Sequence, residues 1–150
     1  MLLTGTFNRA LDEKLRIAIP KYFRDILPCP PGSSLYVTPG TDGSLTMYTE
    51  AAFQVLGQRL AQSPPTRQDV RAFSRLFYGQ AQYVEIDSQG RIRIPPELAS
   101  LAKLQNEVVL VGVQDHLEIW AAEHWQTYVA DKQAHYDEIA ETALGGPTQQ

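Results

Sequence analysis

Asp12 and Arg16 stand four residues apart, and Asp87 and Arg91 repeat that spacing seventy-five residues later. Two chemistries are open to such a set. The aspartates could be paired catalytic carboxylates, or the arginines could grip an anion on loops that the aspartates shape. Each aspartate, however, is followed by a basic residue in a turn, and no nucleophile–base set accompanies either. Gripping phosphates or guanine edges needs only arginines presented on a surface. The same spacing also lets each Asp pair with its own Arg, which at an exposed site is worth about 0–1 kcal/mol and implies no function.

The match runs well beyond the Asp and the Arg. Leu11-Asp12-Glu13-Lys14-Leu15-Arg16-Ile17-Ala18-Ile19-Pro20 returns as Ile86-Asp87-Ser88-Gln89-Gly90-Arg91-Ile92-Arg93-Ile94-Pro95. Repetition in register marks a duplicated structural unit, and with it a duplicated surface. In the second copy, Asp87 to Gly90 reads as a type I turn. Asp87 accepts from the turn's own N–H groups, and Gly90 supplies positive φ. Arg91 then leaves on a strand whose Ile92 and Ile94 face the core, so Arg91 and Arg93 share the other face. In the first copy Leu15 stands where Gly90 does. A leucine at positive φ costs roughly 1 kcal/mol or more, so this turn either takes another geometry or tolerates strain. Lys14 and Arg16 lie two apart there, with Arg9 on the neighbouring strand and Lys21 after Pro20. The first hairpin is therefore the more basic, with Lys14, Arg16, Arg91, Arg9 and Lys21 as candidate anion contacts. Asp12, Asp87 and Gly90 are the candidate turn-shapers.

The elements that would hold these residues can be read from patterning. Gly5–Leu11 is extended, and Ile17–Ile19 returns from the turn. Pro20 suits the first turn of a short helix over Lys21–Leu27, which Pro28, Pro30, Pro31 and Gly32 end. Leu35–Thr38 and Leu45–Tyr48 flank Asp42-Gly43, a strong hairpin signal. Two helices follow, over Glu50–Gln62 and about Thr66–Tyr78. The second would bury Val70, Phe73 and Phe77, with Arg67, Arg71 and Arg75 opposite and Gly79 as its stop. The second unit repeats the plan: strand Gln82–Ile86, strand Ile92–Ile94, short helix Pro95–Leu101, then strands Val108–Val113 and Leu117–Trp120. Tyr48 and Phe53 correspond to Trp120 and Trp125. One long helix is expected over Ala122–Leu144, with Trp125, Tyr128, Val129, Tyr136 and Ile139 on its buried side. The implied division is a first unit over 1–53, a helical connector over 54–80, a second unit over 81–121, a C-terminal helix over 122–144 and a flexible tail over 145–150.

Composition bounds the function. A net charge of −4 weighs against nucleic acid, yet residues 1–103 carry twelve Lys/Arg against nine Asp/Glu, and residues 104–150 one against eight. Local charge sets the field within a Debye length of about 8 Å. The start lacks a signal-peptide pattern, and one cysteine, Cys29, excludes an internal disulfide framework, so a cytoplasmic location is expected. His116, His124 and His135 have no ligand spacing, and Asp131 with His135 reads as solvated helix surface. No metal, cofactor, membrane or small-molecule substrate is expected. The chief competing reading is an oligomeric interaction module whose hairpins form subunit contacts without binding DNA.

The doubled motif resembles the MraZ family. The likeness includes Tyr22-Phe23-Arg24, Leu76-Phe77-Tyr78-Gly79-Gln80-Ala81, Val109-Leu110-Val111-Gly112 and Leu117-Glu118-Ile119-Trp120. The resemblance implies an α+β fold of two tandem AbrB-like, swapped-hairpin units forming a pseudo-two-fold β-barrel core, with peripheral helices between and after them. It implies a non-enzymatic transcriptional regulator of the cytoplasm, associated with the nucleoid. Such a regulator binds short direct repeats of double-stranded DNA in the promoter of the division and cell-wall gene cluster. It also implies a homo-oligomeric ring of eight or more subunits, with the first motif taking the larger share of DNA contact through Lys14 and Arg16, followed by Arg91. Leu15 and Leu3 depart from the family pattern, which usually has Gly and Arg there.

Overall fold

The computed structural model describes residues 2–27 and 34–145. Pro28, Cys29, Pro30, Pro31, Gly32 and the tail beyond Gly145 lie outside the described residues. The chain passes through β1 (Thr6–Ala10), β2 (Arg16–Ala18), α1 (Lys21–Ile26), β3 (Ser34–Pro39), β4 (Leu45–Thr49), α2 (Glu50–Ala61) and α3 (Gln68–Gln80). The plan then repeats as β5 (Gln82–Glu85), β6 (Arg91–Arg93), α4 (Pro96–Leu101), β7 (Glu107–Val113) and β8 (His116–Ala121), followed by α5 (Ala122–Gln133) and α6 (Tyr136–Leu144).

Six strands form one antiparallel sheet in the order β1-β7-β8-β4-β3-β5, and β2 pairs with β6 in a separate two-stranded ribbon. The two halves exchange strands. β1 lies against β7, with Phe7 opposite Leu110, and β5 lies against β3, with Val84 opposite Leu35. The seventy-five-residue offset carries β1 onto β5, so each half lends its first strand to the other half's hairpin. The hairpins meet in the middle, Leu45 opposite Ile119. β7, with buried Val108, Val109 and Leu110, is the apolar run expected of a strand covered on both faces.

The expected β-barrel does not form. β1 and β5 remain open edges of the six-stranded sheet, and no sheet closes on itself. The physical reason lies in the strands that would have to bridge those edges. β2 and β6 are three residues long, each starts directly from a turn, and each is stopped by Ile-Pro, where proline removes the next ladder donor. As strands they pair only with each other. Their inward residues, Ile17 and Ile92, are opposite one another and buried, and together with Ile19, Ile94, Phe23 and Leu98 they tie the ribbon into one core with the sheet.

The helices depart from expectation in four respects. The stretch 122–144 is two helices rather than one, broken at Ala134-His135, where His135 sits at φ −116 and ψ 21. Asp137 and Glu138 occupy the first turn of α6, where acidic side chains favour a helix start. Trp125, Tyr128 and Val129 are half-buried, but Tyr136 is 63% and Ile139 45% exposed. In α3, Phe77 is buried while Phe73 is 46% exposed. Gly79 does not stop that helix, which runs to Gln80 and ends when Ala81 turns extended to feed β5.

Candidate nucleic-acid interface

Both Asp-x-x-x-Arg segments adopt one geometry. Asp12 Oδ1 accepts from the N–H groups of Lys14 (2.9 Å) and Arg16 (2.8 Å), while Oδ2 accepts from Arg16 Nε at 2.7 Å. Asp87 Oδ1 accepts from Gln89 and Arg91 N–H at 2.9 Å each, and Oδ2 from Arg91 Nε at 3.0 Å. The backbone closes alike, with Leu15 N–H donating to Asp12 O and Gly90 N–H to Asp87 O, both at 3.0 Å. Leu15 takes φ +62 and Gly90 φ +75, so the leucine adopts the left-handed conformation that the glycine adopts freely. Leu15 is half-buried against the core. That burial offsets strain of roughly 1 kcal/mol.

These contacts set the electrostatics. The Arg16 N–H, more than any other group, holds the Asp12 carboxyl below the ordinary aspartate range; the Arg16 guanidinium and the Lys14 N–H add to this, while desolvation opposes it. Asp87 is lowered likewise, first by the Arg91 N–H, then by the Gln89 N–H and the Arg91 side chain. Each carboxylate stays ionised and uses Nε to orient its arginine. Among the described residues, neither the Arg16 nor the Arg91 Nη atoms have a hydrogen-bond partner.

The tertiary structure adds a relation between the copies. The ribbon places Arg16 directly opposite Arg93 and Ala18 opposite Arg91. Ile19 N–H donates to Gly90 O at 2.9 Å and Ile94 N–H to Leu15 O at 2.8 Å, so each turn is stitched to the other copy's strand. With Ile17 and Ile92 pointing inward, Arg16, Arg91 and Arg93 share the outward face. Like charges directly opposite on paired strands are destabilising. Asp12 offsets part of that cost by its contact with Arg16, which leaves the exposed Arg93 and the Arg16 Nη groups open to an external anion.

The ribbon does not gather every candidate equally. Lys14 is exposed on the first turn, beside the Arg16–Arg93 end. Arg9 lies on β1, its guanidinium 5.8 Å from the Phe7 ring and donating to Asn8 O at 2.7 Å. Lys21 is exposed at the start of α1 and makes a loose 3.5 Å pair with Asp25. Two arginines outside the candidate set are near the ribbon's turns: Arg93, visible from strand alternation, and Arg24 of α1, whose position only packing reveals. Elsewhere, Arg67 pairs with Asp69, and Arg71 donates to the Pro65 and Thr66 carbonyls, so much of that stripe serves the α2–α3 connection. The Tyr48–Phe53 and Trp120–Trp125 rings pack at 5.9 and 5.1 Å. A cleft of about 660 Å³ between the α4–β7 loop and the start of α5 includes none of the motif residues in its lining, which has residues such as Lys103, Glu107, Glu123 and His124. Among the described residues no group of three His, Cys, Asp or Glu side chains could hold a metal ion, and no helix is long and apolar enough to cross a membrane.

Comparison with known proteins places this geometry in context. Residues 77–146 match the family model described as "MraZ protein, putative antitoxin-like". The chain is similar to the Transcriptional regulator MraZ of Lactiplantibacillus plantarum, at 43% identity over 140 residues, covering 93% of this chain and 96% of that one. It is similar to the protein of the same name from Alkaliphilus metalliredigens, at 40% identity over 139 residues, covering 93% and 94%. Among solved structures, the solution structure of PHS018 from Pyrococcus horikoshii aligns over 77% of this chain and 95% of that one, at 12% identity and a TM-score of 0.38.

Proposed function

The chain belongs to the MraZ family of transcriptional regulators, and on that premise we propose that the β2–β6 ribbon is its DNA-reading surface. Family membership makes it a regulator and not an enzyme. In this reading the ligand is double-stranded DNA carrying short direct repeats, in the promoter of the division and cell-wall gene cluster, and the protein works in the cytoplasm on the nucleoid. The observation that carries the proposal is the facing pair Arg16 and Arg93, two cations on one outward face of which Asp12 neutralises only the first.

A two-stranded ribbon fits the major groove, where an arginine can donate to guanine O6 and N7 while neighbouring cations bind phosphates. Lys14, Arg16 and Arg91 are the principal contacts, with Arg9 and Lys21 supplementing them at the periphery. The first-turn end gathers Lys14, Arg16 and Arg93, so it carries the larger share. One ribbon makes few contacts. A homo-oligomeric ring of eight or more copies would meet tandem repeats multivalently and multiply affinity without new contacts. Exposed apolar side chains on α2, α3 and α6, among them Val55, Leu76 and Tyr136, support self-association.

A fluorescence-anisotropy titration with tandem-repeat DNA over a salt series tests the proposal. Binding should weaken steeply as salt rises, and Arg16→Ala should abolish specific binding more completely than Arg91→Ala. Salt-insensitive behaviour, or no effect of Arg16→Ala, would instead favour an interaction module whose hairpins hold subunits together.

A further inference from the structure

Arg24 reaches from α1 to the second turn rather than the first. Its Nε donates to Ile19 O at 3.2 Å, and that same Ile19 donates its N–H to Gly90 O. A Cβ placed on Gly90 would lie 2.7, 2.8 and 2.9 Å from Arg24 Nη1, Cζ and Nε. Three nearly equal distances put the guanidinium plane face-on over the glycine. The glycine answers the demand of a φ of +75, and its bare face is where the guanidinium rests. The arginine is exposed, and among the described residues its Nη atoms have no hydrogen-bond partner.

The duplicated architecture shows what this replaces. The seventy-five-residue offset carries Arg24 onto Ala99 and Gly90 onto Leu15. In one half-site the turn residue is bulky and the helix residue small. In the other the turn is bare and the helix residue is a long cation. The outcome is that each end of the ribbon has a cation lent by the other half: Arg93 beside Arg16 at the first turn, Arg24 over Gly90 near Arg91 at the second.

We propose that Arg24 is a further DNA-contacting residue, a phosphate ligand of the second turn held ready by the Ile19 carbonyl and the face of Gly90. This rests on the nucleic-acid reading of the ribbon. It makes the second turn a two-cation contact although Gln89 stands where the first turn has Lys14.

Anisotropy titrations of wild type, Arg24→Gln and Arg24→Lys test it, using a labelled duplex spanning the promoter of the division and cell-wall gene cluster and a scrambled duplex of equal length, each over a salt series. Arg24→Gln should make the log–log salt slope shallower by about one unit on both duplexes, so that affinity lost between about 50 and about 200 mM salt shrinks roughly three- to fourfold. Its preference for one duplex over the other should not change, and Arg24→Lys should retain the wild-type slope. An unchanged slope in Arg24→Gln overturns the proposal even if affinity falls, because that pattern marks a support for the turn. Equal loss of slope in Arg24→Lys overturns it too, since the charge would then not be what matters. Absence of salt-sensitive binding by the wild type removes the ribbon reading itself, an outcome distinct from a null effect confined to Arg24.

Discussion

Leu15 and Gly90 occupy equivalent left-handed positions, yet they are not interchangeable. Leu15 offsets its strain by packing on the core, whereas Gly90 lies beneath a guanidinium. Gly90→Ala should therefore cost about 1–2 kcal/mol through its φ of +75, with the exposed Arg24 guanidinium swinging aside at little cost, readable as a lowered thermal midpoint. Leu15→Gly should stay within about 1 kcal/mol of wild type, since released strain and lost packing oppose each other. The aspartates give the turns a pH dependence with a definite sign. Both carboxyls are lowered in the folded protein, so their contribution is present above the ordinary aspartate value and is lost as pH falls through the lowered one. Thermal midpoints measured from about pH 6 down to about pH 2 should fall below pH about 4, and the Asp12→Asn, Asp87→Asn double variant should show a flatter decline. An identical decline in the double variant would place the acid sensitivity elsewhere.

The ribbon is the element at which stability and function pull apart. Removing a facing arginine should relieve repulsion, so Arg93→Ala is expected to leave stability unchanged or raise it by a few tenths of a kcal/mol. The same change should weaken DNA binding, with a shallower salt slope. A loss of stability comparable to a core mutation would mean that Arg93 packs rather than waits for an anion. Ile17→Ala serves as the contrast: Ile17 is fully buried opposite Ile92, and its truncation should cost about 2–5 kcal/mol whatever its effect on DNA. The ribbon's two members and its alternation were legible, because Ile-x-Ile after an Arg allows one inward face. Their pairing with each other was not. Neither strand's sequence says which edge it will meet, and proximity across seventy-five residues is a matter of packing.

At the scale of the molecule, the exchange of first strands binds the halves together. β1 has its partner in β7 and β5 its partner in β3, so each half when separated keeps only a two-stranded hairpin, β3–β4 or β7–β8, which is marginal alone. A fragment of residues 1–80 and one of residues 81–150 should each show little cooperative unfolding by circular dichroism at low concentration, and mixing them should restore a single transition. Two independently cooperative fragments would show that the interleaving is incidental to stability. The long C-terminal helix failed as an expectation for a related reason. Its pattern of Tyr136 and Ile139 looks buried in one dimension, but among the described residues they stay 63% and 45% exposed, and apolar periodicity records that a partner is wanted, not whether it lies in the same chain.

The sequence by itself determined the duplicated unit, the two turns and the arginines they carry, because turn chemistry and strand alternation are local and an in-register repeat is visible without coordinates. It also determined the family. Tertiary structure alone decided that the sheet stays open, that the two motifs become one ribbon with Arg16 facing Arg93, and that Arg24 lies over Gly90. Those outcomes depend on which strand edges find each other and which side chains fill the space between distant segments. Such choices are settled by the free energy of the whole packed chain rather than by the preferences of any short stretch of it.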